Sequence, residues 1–257
     1  MLCEKIWRLS LAIYVKSLRT PWTLASLDEN TAYAGIGYSI LSKVDDERHV
    51  VMGCSHIYNR FGEGLKYKLQ KVNNPIFDRK NNPYMSYEEA YKFGTMIQNL
   101  FLESMDKLPG RVVIHKRTHF RNDEINGIKD SLKAAGIETV ELLTIEFESE
   151  RKELPYDINR YGMGIHNYPI KRGAYIVISD NTFLLWTHGI VPSIRSESLS
   201  YYPSGIGIPA PLKITRYSGS STVQTIATEI FGFTKMNWNS FNLYTKLPAT
   251  IDTSNTL

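Results

Sequence analysis

The chain is short of cysteine, of long apolar runs and of any strong charge imbalance. Its 257 residues include two cysteines, Cys3 and Cys54, with no CxxC spacing. That excludes a disulfide framework or a zinc ribbon and fits a reducing, cytoplasmic setting. No apolar run approaches the ~20 residues of a membrane span. Glu4, Lys5, Arg8 and Lys16 interrupt the first segment, so no signal peptide is expected. Thirty basic residues against 26 acidic ones give a formal charge of +4, which permits a nucleic-acid partner without demanding one. There is no internal repeat and no low-complexity tract. With no linker-like stretch either, a single domain over residues 1–257 is expected.

Several chemical signatures are also missing. The six histidines (His49, His56, His115, His119, His166 and His188) show no HExxH or HxH spacing. His115 and His119 are four apart, but the residues between them read as strand end and loop, so no shared helical face presents them. Gly162-Met163-Gly164 and Gly205-Ile206-Gly207 do not follow a strand and open a helix, as a phosphate-binding βαβ turn requires. Ser204-Gly205 makes no nucleophile elbow.

What is present is a run of well-marked elements. Cys3 to Leu18 places Ile6, Leu9, Ile13 and Leu18 at helical spacing, and Thr20-Pro21-Trp22 stops it. Thr31 to Ser42, Arg48 to Tyr58 and Leu65 to Val72 read as three strands, the last alternating apolar and basic residues. Asn73 to Tyr84 is loop. Ser86-Tyr87-Glu88-Glu89 is a capping box opening a helix to about Leu108. Arg111 to His115 is a short apolar run suited to a buried parallel strand. Asn122 opens a helix with Ile125, Ile128 and Leu132 on one face, closed by Gly136. Thr139 to Phe147 is the next strand. Ala174 to Ser179 and Thr182 to Thr187 form a hairpin around Asp180-Asn181. Ser193 to Ser218 reads as loop and strand, Ser220 to Phe233 as a helix, and Met236 to Phe241 as the start of a last one. The order β-β-β-α-β-α-β describes an α/β fold with a ribonuclease-H-like mixed sheet, followed by a C-terminal hairpin and helices.

A two-metal nuclease on such a sheet needs carboxylates converging from the middle of the first strand, the end of the fourth and an element near the C-terminus. The first strand offers Gly37. The fourth ends in His115-Lys116-Arg117, and Lys116 would repel magnesium. Asp123 and Glu124 follow within a turn and read as the acidic start of a helix. An active nuclease using one of them as a displaced ligand is one alternative, and a pure protein-interaction domain is another. The same region suits binding. Lys116, Arg117, His119 and Arg121 cluster after the fourth strand. Lys213, Arg216 and Lys235 punctuate the C-terminal third, with Ser218, Ser220, Ser221 and Thr222 among them. A helix starting at Ser220 would offer free N–H groups to a phosphate. Read without further context, these are more simply solvated surface residues and a helix cap.

The ordered motifs resemble the PIWI domain of prokaryotic Argonaute proteins. Lys16 through Pro21-Trp22 resembles "K-x-G-x-x-P-W", and Tyr33 to Ser39 the first strand, "v-G-i-D-x-s". Val113-Ile114-His115-Lys116 through Glu124-Ile125 resembles the segment at the fourth strand. Arg172-Gly173-Ala174-Tyr175 to Leu185-Trp186-Thr187-His188-Gly189 is similar to the late hairpin. Gly207-Ile208-Pro209-Ala210-Pro211-Leu212-Lys213-Ile214 resembles "G-T-P-R-P-L-x-I". Phe233 to Phe241 resembles "L-T-x-M-N-W-x-x-F", and Leu247-Pro248-Ala249-Thr250-Ile251 the final "l-P-v-T-i". The resemblance spans nearly the whole chain.

Active members use an Asp-Glu-Asp set completed by Asp or His. Carried over by position, the first Asp falls on Gly37, the second on Lys116 and the last ligand near Asn255. The glutamate belongs to a mobile loop in the area of Asp78 to Tyr84. The resemblance therefore implies a catalytically inactive PIWI domain like that of the short prokaryotic Argonautes. It further implies a guide RNA or DNA paired with target DNA, an antiviral defence role, and an effector bearing an Argonaute-associated domain. No catalytic cofactor is expected, and Mg2+ accompanying a guide phosphate is compatible with this picture. The candidate contacts are Lys116, Arg117, His119, Arg121, Lys213, Arg216, Ser218, Ser220, Ser221, Lys235 and Asn237. Lys116→Ala and Arg216→Ala are expected to weaken binding alike across sequences. No MID domain fits within the chain, so the pocket for the guide end would come from the rest of a longer Argonaute or from another chain.

Overall fold

The computed structural model describes residues 2–25, 30–42, 48–58, 64–73, 75–148, 171–189, 209–238 and 244–252. Helix α1 (Leu2–Lys16) leads into three long strands, β1 (Thr31–Ser42), β2 (Arg48–Tyr58) and β3 (Gly64–Val72). A two-residue pair follows, β4 (Ile76–Phe77) and β5 (Pro83–Tyr84), inside what the sequence marks only as loop. Then come α2 (Tyr87–Met105), β6 (Arg111–Lys116), α3 (Asn122–Ala134) and β7 (Thr139–Phe147). The remainder comprises β8 (Tyr175–Ser179), β9 (Thr182–Leu185), β10 (Leu212–Ser218), α4 (Val223–Phe233) and α5 (Ala249–Asp252).

Eight strands form one sheet in the order β3-β2-β1-β6-β7-β10-β9-β8. β1, β6 and β7 run parallel, with Ile36 opposite Lys116 and Lys116 opposite Thr144. The other pairings are antiparallel. Helices α2 and α3 supply the crossovers that parallel neighbours require, which gives the ribonuclease-H-like arrangement anticipated from the element order.

Alternation along the central strands sends successive side chains to opposite faces. Ala32, Ala34, Ile36, Val112, Ile114, Val140 and Leu142 pack under α2 and α3, against Phe93, Ile97, Ile128 and Leu132. Tyr33, Val113, Leu143 and Ile145 pack on the other face with Ile226, Ile230 and Phe233 of α4 and Ile251 of α5. Burial of each such large side chain stabilises the fold by roughly 1.5–3 kcal/mol. Arg111, at the start of β6, is pinned to α4 by a bidentate pair with Glu229 at 2.6 and 3.1 Å.

Local signals set the helix ends. Ser86 caps α2 by accepting from the Glu89 N–H, and Asp106 closes it in a left-handed conformation, three residues earlier than expected from Pro109. Thr222 caps α4, so the helix opens at Val223, three residues later than the expected start at Ser220. Helix α1 forms as the spacing suggests but buries none of its residues. Trp7 on α1 stacks on Trp22 at 6.4 Å, and Trp22 meets Trp238 edge-on at 6.3 Å. The Trp22 indole N–H donates to the Lys235 carbonyl at 2.8 Å. The expected helix over Met236 to Phe241 is a turn as far as Trp238, and residues 239–243 lie outside the described residues. So do Asn255, Gly162 to Gly164 and Gly205 to Gly207. Among the described residues no helix is long and apolar enough to cross a membrane.

Candidate nucleic-acid interface

The end of β6 divides the functional question between two faces. Because Ile36 and Lys116 are partners on parallel strands, they point the same way, under α2 and α3. Tyr38 follows them, its hydroxyl donating to Glu124 of α3. Gly37 belongs to the opposite face, with Tyr33. One step along the register, the residue beside Gly37 on that face is Arg117, whose guanidinium lies over the Phe147 ring at 5.0 Å. This corrects the alignment of the second acid position. Carboxylates sharing two ions must lie on one face, and Lys116 does not share a face with Gly37. The neighbour of Gly37 is Arg117, a cation as well.

Lys116 is not in an exposed loop but is the last residue of β6, with 1% of its surface exposed. Its Nζ donates to both oxygens of Glu124 at 2.6 and 2.7 Å. The rings of Tyr38, Tyr84 and Phe120 surround it, with centroids 4.7–5.3 Å from Nζ. Burial lowers its pKa, and the Glu124 charge and hydrogen bonds oppose that shift. Glu124 also accepts from the Met85 and Arg121 N–H groups. Its reach back to Arg121 is one half of a capping box, which starts α3. Every lone pair of this carboxylate that protein groups can reach is used, so Glu124 cannot be the displaced metal ligand, and Lys116 cannot be the surface phosphate contact first assigned to it.

Beside this pocket, His119 and Arg121 are accessible but engaged. His119 Nδ1 lies 2.8 Å from the Tyr84 hydroxyl, which donates to Asp78. Arg121 stacks over the Tyr84 ring at 4.5 Å. Asp78, in the stretch considered for the mobile glutamate, is committed to its own turn. It accepts from Asn82 side chain and backbone and from the Lys80 N–H. These bonds, the Asn82 side chain first, draw its pKa down to about 2.

The face that carries Gly37 and Arg117 has a different character. Lys246 also reaches the Phe147 ring, its Nζ 4.4 Å from the centroid. Its carbonyl holds the Thr187 hydroxyl at 2.8 Å. Arg172 donates to the Thr187 carbonyl and to Thr234 Oγ1, both at 2.8 Å. Its guanidinium lies against Tyr244 at 3.7 Å and Phe231 at 4.2 Å, and Lys235 covers the same Phe231 ring. His188 meets Tyr244 edge-on, and its Nε2 is buried with no hydrogen-bond partner. Arg117, Phe147, Lys246, His188, Tyr244, Arg172, Phe231 and Lys235 thus form one continuous stripe. Among the described residues no carboxylate pairs with any of its cations.

The electrostatics follow from that imbalance. Burial lowers the pKa of Lys246. It brings Arg172 down to about 10, a value that leaves the guanidinium charged at neutral pH. His188 falls to about 4, through burial first and then repulsion from Lys246 and Arg172. Deeper on the same face, His115 is fully buried with Nδ1 2.7 Å from Thr250 Oγ1 of α5. Burial lowers its pKa to about 3. The electrostatics of such a face suit an anion. Aromatic rings among the cations suit one that also carries flat bases.

The C-terminal candidates do not converge. Lys213 sits opposite Glu146 on β7, on the α2/α3 face. Arg216 donates to the carbonyls of Ser221 and Asp180 at 2.6 and 2.9 Å, which makes it a brace between loops. The N–H groups of Ser220 and Ser221 were expected to hold a phosphate. They already bind the buried Glu141 carboxylate of β7 at 3.1 and 2.8 Å. Gly219, at φ +107°, is needed there, since a side chain would collide with that carboxylate. Ser218 ends β10 beside Leu142, and this group lies about four residue rows, or roughly 13 Å, from Arg117 along the sheet. Asn237 donates to Asp252. Only Arg117 and Lys235 of the expected contacts join the stripe. Arg172 and His188 lie inside the hairpin motif and Tyr244 and Lys246 between the last two motifs, and nothing in the local spacing of any of them marks it as a contact.

Magnesium does not fit the described part of this face. Gly37 has no ligand atom, Arg117 is cationic, and among the described residues no three His, Cys, Asp or Glu side chains come together.

No protein-family model matches the sequence, and no curated protein matches it. Solved structures do match. Aquifex aeolicus Argonaute superposes with a TM-score of 0.64 at 20% identity over 97% of this chain and 32% of that one. Aa-Ago with externally bound siRNA gives 0.61 at 20% identity over 95% and 29%. Clostridium butyricum Argonaute bound to a guide DNA and a 19-mer target DNA gives 0.65 at 17% identity over 95% and 29%. The chain spans about a third of the length of these proteins. A PIWI-like fold of the Argonaute type is therefore the architecture of this protein.

Proposed function

We propose that the protein is a non-cleaving, guide-dependent nucleic-acid-binding module that holds a guide–target duplex and signals to an associated effector in a prokaryotic defence system. The observation that carries this reading is the acid-free stripe of cations and aromatics beside Gly37. Phosphates neutralise Arg117, Lys246 and Arg172 without being read for sequence, and sequence recognition is left to base pairing with the guide. The Argonautes it resembles in fold are known with siRNA, or with a guide and target DNA, bound, which supports the choice of ligand.

The proposed absence of cutting is supported by chemistry. In-line hydrolysis needs metal ions that stabilise the attacking and leaving oxygens. The positions facing such ions hold Gly37 and Arg117, and Glu124 is locked to Lys116. The test uses guide-matched target, with Mg2+ or Mn2+, and binding measured over a salt series. A steep fall in affinity with salt and no product are expected. Sustained turnover would overturn the inactive assignment, and salt-independent or undetectable duplex binding would overturn the ligand.

A further inference from the structure

Arg117 follows Lys116, the last residue of β6, and the register gives its row across the sheet. Gly53 of β2 lies opposite Gly37 of β1, and Gly37 lies one step beyond the Ile36–Lys116 pair, beside Arg117. Neither glycine carries a side chain, so the row is bare until Arg117, whose charge is permanent. Lys246, from the segment before α5, reaches the same place. Both cations lie within 5.0 Å of the Phe147 ring centroid. Arg117 is exposed and Lys246 half-buried, and among the described residues neither forms an ion pair. The acid of α5, Asp252, accepts from Asn237.

Divalent ions serve a phosphodiester in two ways. They activate a nucleophile, and they neutralise the oxygens they bridge. The first role needs carboxylates to hold the metal, and the row of Gly53, Gly37 and Arg117 has none. The second needs only positive charge within reach of the phosphate, which a guanidinium and an ammonium supply together with hydrogen-bond donors. We infer that Arg117 and Lys246 take over this neutralising role, so that a backbone phosphate of the bound duplex is held beside Gly37 without a divalent ion. Two like charges against one ring repel each other, and an anion between them relieves the repulsion. Burial lowers the pKa of Lys246, the direction expected of a partly desolvated ammonium with no anion beside it. The inference rests on the duplex-binding reading and adds to it that binding at this face is independent of divalent cations.

Fluorescence anisotropy of a guide–target duplex with the 257-residue chain tests it, in excess EDTA and in Mg2+ or Mn2+ at matched ionic strength. Removing the divalent ion should not weaken binding by the wild type. Arg117→Gln should weaken it about tenfold in either solution. Arg117→Glu sets a carboxylate against the phosphate. It should bind poorly in EDTA and recover in Mn2+, because a divalent ion then bridges the two anions. Circular dichroism checks each fold, and Lys246→Glu repeats the comparison at the second cation and decides it if Arg117→Glu fails to fold. Wild-type binding that is lost in EDTA and restored by Mg2+ overturns the inference while leaving duplex binding in place. Undiminished affinity in Arg117→Gln does the same, as does a folded glutamate variant equally weak with and without Mn2+. No duplex binding in either solution overturns the functional reading, and the inference with it.

Discussion

Lys116 and Arg117 are neighbours in the chain and opposites in the structure. Lys116 turns under α2 and α3, where Glu124 and three aromatic rings enclose it. Arg117 turns to the α4/α5 face, where the Phe147 ring meets it. The α2/α3 face has matched its charge internally and closed over it. Among the described residues the α4/α5 face pairs no carboxylate with Arg117, Lys246 or Arg172 and so keeps a demand for anions. A basic residue next to a strand end is therefore not one kind of evidence. Strand parity decides whether it holds the fold together or awaits a ligand.

The sharpest way to break the comparison is Lys116→Ala. Removing one partner of a buried pair leaves an uncompensated charge and typically costs about 3–5 kcal/mol. A large drop in the denaturation midpoint is expected, with the remaining folded protein binding nucleic acid as before. This replaces the expectation that Lys116→Ala and Arg216→Ala weaken binding alike. Arg216 braces two backbone carbonyls, so its loss should also be read in stability first.

Gly219→Ala tests the buried Glu141 carboxylate near the start of α4. The added carbon meets Glu141, and φ +107° is unsuited to alanine. A loss of about 1–3 kcal/mol in chemical denaturation is expected, with unaltered duplex affinity if the Ser220 and Ser221 amides serve Glu141 and not phosphate.

Acid should weaken the α4/α5 side selectively. His115 titrates at about 3 in the folded protein against 6.5 as a free side chain. The unfolded chain therefore binds the extra proton between those values. Stability is highest above pH 6.5 and is lost as pH falls toward 3. From pH 7 to 5 this one group removes on the order of 1–2 kcal/mol, and His188 adds to the loss down to about pH 4. His115→Asn should flatten the pH dependence of the unfolding free energy. An unchanged slope would remove His115 as its source.

The smallest effects on stability and the most specific on function belong to Arg117→Ala and Lys246→Ala. Each should leave the melting temperature within a degree or two of wild type. Each should also weaken duplex binding uniformly across sequences, reducing the slope of log affinity against log salt by about one. Fluorescence anisotropy over a salt series reads this directly, and unaltered slopes in both variants would show that the stripe is not the path of the phosphates.

The strands and crossovers were legible because their signals are local. Val112-Val113-Ile114 is apolar on both faces, Asp180-Asn181 turns a hairpin, and Ser86 caps a helix. The candidate site was legible only in part, because its determinants are distant. Lys116 reads as a loop residue until Glu124 is seen to reach back for it. Ser220 reads as a helix start until Glu141, on a strand far away in sequence, is found on its amide. Arg172 and Lys246 come from separate segments and become one feature only when the hairpin, α4 and the segment before α5 are brought together. Gly37 can be read in the sequence as a strand position without an acid, but its partner position needs the sheet register, which places Arg117 and not Lys116 beside it.

The tryptophans offer a last consequence, an optical one. Three of the four, Trp7, Trp22 and Trp238, touch in sequence from exposed α1 to the turn that follows Lys235, and the Trp22 indole is hydrogen-bonded to the Lys235 carbonyl itself. The fourth, Trp186, is buried, its N–H held by the Pro209 carbonyl. Native emission is thus weighted toward the junction between the first helix and the cationic stripe, over a steady background from Trp186. The unlabelled protein carries its own reporter at the place where a ligand on Lys235 would first be felt.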